Sequence, residues 1–204
     1  MIPSFKLILC DPNRALCEEF EKWFKFPDVE IVCDVFQNIQ FDCVVSAANS
    51  FGLMDGGIDG AIIDYYGLGL QSEVQRRIIK EYAGEQPVGT SMLVPVIRNG
   101  RMNFVAHTPT MRVPTNIDGT DNAYLAMKAM LTAVQLHNET HNDISGVVCC
   151  GLGALSGGLP LDKVARQMAL AYAHFILPRP DKLDWTYAVE IARAVESSKS
   201  TTNE

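Results

Sequence analysis

Apolar positions along this chain switch between short continuous runs and spacings of three or four, and the alternation predicts strands interleaved with helices. Residues 6–10 read as a strand. Residues 13–25 place Leu16, Phe20, Trp23 and Phe24 on one stripe and read as a helix, with Asp11 as its N-cap and Pro12 at its first position. A strand over 29–35 follows. A third strand over 42–46 carries Cys43-Val44-Val45, an apolar run suited to burial on both faces. Helices are predicted over 58–66 and 71–82. Strands over 88–97 and 102–107, joined by Asn99-Gly100, predict an antiparallel hairpin, and Pro95 marks an edge or a bulge. A helix over 120–136 follows, in which Tyr124, Met127, Leu131 and Val134 repeat at three or four. Then come a buried strand over 144–150, a helix over 161–175 and a last helix over 185–195. The fold class this implies is α/β, a three-layer α/β/α sandwich with a mixed central sheet. Residues 1–177 are expected to form one domain, 178–196 an extension with a helix, and 197–204 a disordered polar tail.

Composition narrows the picture. The chain has 204 residues, 48% of them hydrophobic, enough for one full core. No apolar run approaches the roughly 20 residues that span a bilayer, and no signal-peptide core is present, so a soluble, intracellular protein without a membrane partner is expected. The six cysteines lie mostly beside Val, Ile and Leu, as small buried hydrophobes do, and none forms a CxxC pair. His137 and His141 have a spacing that metals use, but no third ligand stands nearby, so no metal is expected. Net charge is −7 with Lys and Arg scattered, which disfavours an extended nucleic-acid surface. It leaves open a pocket for one small anion, because backbone amides hold phosphate without net positive charge.

The chemistry concentrates in two glycine-rich loops. The first follows the third strand: Ser46-Ala47-Ala48-Asn49, then Gly56-Gly57-Ile58-Asp59-Gly60. Ligands of α/β sheets bind at the carboxyl ends of strands, which makes Asn49 and Asp59 site candidates. An ordinary turn also uses Asn, Asp and Gly, but needs only about four residues. The second loop, Gly151-Leu152-Gly153-Ala154-Leu155-Ser156-Gly157-Gly158, follows the strand over 144–150 and precedes a helix. Two such loops suit a diphosphate, since helix N-termini offer unpaired N–H groups and glycines allow close approach. Gly151-x-Gly153 is like the start of a dinucleotide fingerprint, yet Ser156 stands where a third small residue belongs, which disfavours a Rossmann dehydrogenase. Neither loop has the GK[ST] of a P-loop. His107 reads as a packed histidine, and Arg112 as a rim residue that either contacts phosphate or a partner or does neither.

Together these segments resemble the macro domains that bind ADP-ribose, in a divergent branch with a glycine-rich second loop. The resemblance runs from about residue 29 to residue 175. Ser46 to Asn49 and Gly56 to Gly60 are similar to the family's NAAN and GVDG elements, and Val105-Ala106-His107-Thr108 to its HT element. The resemblance implies that Asp34 contacts the adenine amino group, Asn49 holds the distal ribose, and Asp59 positions or activates a water there. Gly56, Gly57 and Ile58 would approach the ribose and diphosphate, while Gly153, Ala154, Leu155, Ser156, Gly157 and Gly158 would wrap the diphosphate. Three positions depart from the pattern: Ser46 for the first Asn, Cys33 for the small residue before the adenine contact, and Gly157 where many members carry an aromatic ring. The function implied is binding of ADP-ribose or an ADP-ribosylated molecule, with hydrolysis of a bond at the distal ribose and no cofactor. A reader module that does not cleave, and a ligand-free assembly protein, use the same fold.

Overall fold

The structure, a computed structural model, describes residues 3–200. In chain order it contains β1 (Lys6–Cys10), α1 (Arg14–Trp23), β2 (Val29–Val32), β3 (Cys43–Asn49), α2 (Gly57–Tyr66), α3 (Gly69–Tyr82), β4 (Met92–Arg98), β5 (Arg101–Met111), α4 (Asn122–Asn138), β6 (Gly146–Cys149), α5 (Leu161–Ile176) and α6 (Trp185–Ser198). The strands form a six-stranded sheet in the order β2-β1-β6-β3-β5-β4. The pairs from β2 through to β5 are parallel, and only β4 runs antiparallel, against β5. Five strands therefore end at the same edge of the sheet. Asn99 and Gly100 both have positive φ (52° and 75°), which is what a two-residue hairpin turn requires between β4 and β5. Pro95 is tolerated because β4 is an edge strand.

The sheet is covered on both faces. One face packs Leu16 and Phe20 of α1, Met127 and Leu131 of α4 and Met168 and Tyr172 of α5 against Leu7, Leu9, Val45 and Val147. The other packs Ile62 of α2 and Val74 and Ile78 of α3 against Ile8, Val44, Val105 and Val148. Alternate residues of β1, β3 and β6 feed the two cores, the period-two rule for a strand buried on both sides. Each fully buried Leu, Phe or Met contributes about 1.5–3 kcal/mol of transfer free energy.

Several local readings change, among them the end of β2, which stops at Val32, and the start of β4 at Met92. The N-cap of α1 is Asn13, whose side chain accepts from Ala15 N at 3.1 Å. The helix begins at Arg14, so Pro12 precedes it, and Asp11 is engaged elsewhere. β5 extends to Met111, past the expected end at His107, because Thr108 and Thr110 satisfy their buried hydroxyls on Ala106 O and Ala48 O. Ser197 and Ser198, expected in the tail, lie within α6, where Arg166 donates to Ser197 O at 2.9 Å. Residues 201–204 of that expected tail lie outside the described residues.

Candidate functional site

The shared edge of the parallel strands encloses a cavity of about 340 Å³, within the usual range for a small-molecule site. Its wall follows the order of the strands. Val35, Phe36 and Gln37 come after β2, and Cys10, Asp11 and Pro12 from the end of β1. Cys150, Gly151 and Gly153 to Ser156 follow β6, and Gly56, Gly57 and Ile58 lead into α2 after β3. The floor is apolar, made by Val44, Val45, Ala47, Met111 and Val148. The chain runs from β1 out to the edge at β2 and back to β3, and β6 enters between β1 and β3. This reversal of strand order is where α/β sheets open a crevice.

Both glycine loops thus face one space, although about a hundred residues separate them in sequence. The start of α2 has no side-chain cap: Gly56 is the cap residue, and an added Cβ at Gly56 or Gly57 would meet nothing within 4 Å. The first N–H groups of that helix carry no hydrogen-bond partner among the described residues, and residues 56–58 bring this end of the helix, the positive end of its dipole, to the cavity wall. In the second loop, Ala154 N and Gly158 N bond back to Gly151 O and Leu155 O. The amides of Gly153, Leu155 and Ser156 carry no partner among the described residues. The loop holds this shape by packing on itself. Gly153 has φ +83° and sits against Ile117, and a Cβ on Gly157 would lie 2.5 Å from Gly153 O. Gly157 O also accepts from Ile117 N at 2.8 Å. No aromatic side chain fits at Gly157 while the loop keeps this conformation.

Among the described residues Asp11 is the only charged side chain of the wall. Asp11 Oδ1 accepts from Asn13 N at 2.9 Å and Oδ2 from Gly151 N at 3.2 Å, so it ties the end of β1 to the second loop. Cys150 directly precedes that loop in the wall, and burial pushes its thiol well up, as it does the Cys10 thiol, to about 11. Neither thiol is set up as a nucleophile.

The expected site residues divide into two groups. Gly56, Gly57, Ile58, Gly153, Ala154, Leu155 and Ser156 line the cavity together. Asp34, Ser46, Asn49, Asp59, Gly157 and Gly158 do not. Asp34 sits beside the mouth, where its Oδ1 accepts from Val35 N at 2.7 Å and Asn38 Nδ2 at 2.9 Å. Asn49 is the last residue of β3, and its side chain braces the following loop. It donates to Leu53 O at 2.7 Å and accepts from Phe51 N and Leu53 N at 3.0 and 3.2 Å. Ser46 and Asp59 meet under the cavity, between β3 and α2, where Ser46 Oγ donates to Asp59 Oδ1 at 2.5 Å. Both are buried. Burial raises the Asp59 carboxyl to about 6, against the lowering effect of the Ser46 bond.

His107 is fully buried, and its Nδ1 donates to Gln86 Oε1 at 2.7 Å. Burial lowers it to about 3, which keeps the ring neutral. Arg112 pairs with Glu85 on the surface at 2.6 Å and takes no place on the wall. His137 and His141 stack on one another, and His137 bonds Asp143 at 2.7 Å. The wall residues missed by sequence reasoning are chiefly Asp11, Phe36 and Met111. Each stands at or just after a strand's carboxyl end, a signal present in the sequence once the strand order is known.

Comparison with known proteins places this geometry. Residues 45–168 match the sequence model of the Macro domain. An uncharacterized protein of Aeropyrum pernix is 32% identical over 135 residues, covering 65% of this chain and 64% of that protein's length. An uncharacterized protein of Aquifex aeolicus is 29% identical over 143 residues, 69% of this chain and 78% of its own. Among solved structures, a mutant Oceanobacillus iheyensis macrodomain with ADPR superposes with a TM-score of 0.58 at 17% identity, covering 78% of this chain and 87% of that one. The macrodomain of Mycobacterium tuberculosis DarG gives 0.55 at 17% identity, covering 69% and 86%. At such identities the likeness establishes a common fold. Among the described residues no helix is long and apolar enough to cross a membrane.

Proposed function

The chain belongs to the macro domain family, and on that premise we propose that its cavity binds ADP-ribose, free or carried on another molecule. The observation that carries this reading is that two glycine loops, distant in sequence, bring residues whose backbone amides lack partners, and a helix N-terminus without a side-chain cap, to the wall of one 340 Å³ space. A diphosphate needs such donors, and a wall without Lys or Arg can supply them only from the backbone. The Oceanobacillus macrodomain with ADPR shares the overall fold. In this reading the adenine lies by Phe36 and Val35, with Asp34 at the mouth, and the diphosphate lies between the residues 56–58 and 153–156. Calorimetric titration tests it: ADP-ribose should give saturable heat with a micromolar dissociation constant, a binding free energy of roughly −8 kcal/mol. An absence of heat and of any thermal stabilisation at millimolar ADP-ribose would refute it.

A second reading, hydrolysis at the distal ribose, is favoured by one observation. Asp59 follows directly on the wall residue Ile58 and holds its proton to about pH 6, the range of a general acid or base working near neutrality. Asn49 would act in this reading by shaping the loop over the distal ribose through its three bonds. Turnover of an ester-linked ADP-ribose conjugate, abolished in Asp59→Asn with binding retained, supports the enzyme. Binding without turnover in the parent protein supports the reader.

A further inference from the structure

The strand order fixes more than the presence of a pocket, because it fixes the sequence of chemical environments along it. From the sheet edge inward, the wall presents Val35 to Gln37 after β2, Asp11 and Pro12 after β1, the second loop after β6, and Gly56 to Ile58 after β3. An extended nucleotide with its base on the Phe36 side and its phosphates between the loops must lay its first ribose across the end of β1. There it meets Asp11, the one charged side chain on the wall among the described residues.

The carboxylate is held in place for such a contact. Its two oxygens each accept one backbone amide, from Asn13 and from Gly151, which orients the group without filling it. An ionised carboxylate has about four acceptor sites, so room remains for hydroxyl donors. A fixed acceptor of this kind bonds a ribose diol and repels a phosphate placed on the same ring, the logic by which an acidic residue separates plain from 2′-phosphorylated nucleotides in other folds. We propose that Asp11 is a specificity-determining residue that reads the free hydroxyls of the adenosine ribose and excludes ligands carrying a 2′-phosphate there. It also keeps the register of the ligand, since an anionic group is driven away from Asp11 and onto the loop amides. The inference rests on the ADP-ribose reading and adds to it the identity of the ribose accepted.

The test compares ADP-ribose with its 2′-phosphate derivative by competitive titration, on the parent protein and on Asp11→Asn. The parent is expected to bind the 2′-phosphate form about 100-fold more weakly, and Asp11→Asn to narrow the gap to less than about tenfold. Because the exclusion is one of charge, raising salt from about 0.05 M to 0.5 M should shrink the gap in the parent, whereas exclusion by shape would leave it unchanged. The salt series needs no variant, so it decides the matter even if loss of the Gly151 tether unfolds Asp11→Asn. Equal affinity of the parent for both ligands, or a gap indifferent to salt and to substitution, overturns the role of Asp11 and leaves ADP-ribose binding intact. Failure of the parent to bind ADP-ribose at all overturns the functional reading and this inference with it.

Discussion

Replacing Asp59 by Asn isolates the free energy stored beneath the pocket. The carboxyl is 5% exposed, and its folded-state value is raised from 3.8 to about 6, chiefly by burial. Between those values the folded chain holds a proton that the unfolded chain releases, so stability falls as pH rises through this window and levels off above about pH 6. A difference of about two units corresponds to roughly 3 kcal/mol. Asn keeps an oxygen for the Ser46 hydroxyl but carries no charge, so Asp59→Asn should lack this part of the pH dependence. For a chain of this length about 3 °C accompanies each kcal/mol, so the variant should gain roughly 6–12 °C on the parent between pH 4 and pH 7. Thermal unfolding of both proteins across that range, followed by circular dichroism, measures the gap. Parallel pH profiles would refute the reasoning, because they would mean that Asp59 titrates alike in the folded and unfolded chain.

Other outcomes follow from named contacts. Gly157→Ala sets a methyl 2.5 Å from Gly153 O, so the second loop must shift; ADP-ribose affinity should fall at least about tenfold by titration, with a stability loss of about 1–3 kcal/mol. Phe36→Ala removes a ring packed against Phe41 and Tyr65 at 5.8 and 5.4 Å, and should cost about 3 kcal/mol in urea unfolding as well as weaken adenosine-containing ligands. Asp42 accepts from Ser145 N, Ser145 Oγ, Gly146 N and Arg101; burial opposes its charge, but these bonds outweigh it and hold its carboxyl below 3.8. Asp42→Ala should therefore destabilise at pH 7 by about 2–4 kcal/mol, and the deficit should close as pH falls below the ordinary carboxylate range, since the parent's advantage is lost there.

Much of the fold was legible because both-face burial leaves a plain trace. Leu7 to Cys10, Cys43 to Val45 and Val147 to Cys149 are apolar runs, and they form β1, β3 and β6 at the centre of the sheet. The amphipathic stripe of Leu16 and Phe20 likewise gave α1. Polar residues that satisfy themselves inside the core hid the rest. Thr108 and Thr110 do so at the end of β5, and Gly89 and the Thr90 bond to Pro87 O make a turn where β4 was expected to begin. In the site, glycine and turn chemistry revealed the two loops, but strand order is a property of long-range pairing. Only that pairing brings Asp11 within 3.2 Å of Gly151, 140 residues later, and sets Phe36 on the same wall. Asn49 was legible as a polar residue at a strand end and Asp59 as an acid among the glycines that follow it, whereas their bonds to the Leu53 backbone and to Ser46 depend on how the loop and α2 fold back over β3.

If ADP-ribose binds in this cavity, backbone amides of two loops, and no cationic side chain, hold its diphosphate. Amide-resolved NMR during titration with ADP-ribose measures this most directly. Saturable shifts at Gly57, Ile58, Gly153, Leu155 and Ser156, all following one binding curve, are the predicted result. Binding detected by calorimetry while the amides of either loop stay unperturbed would mean that other groups hold the diphosphate.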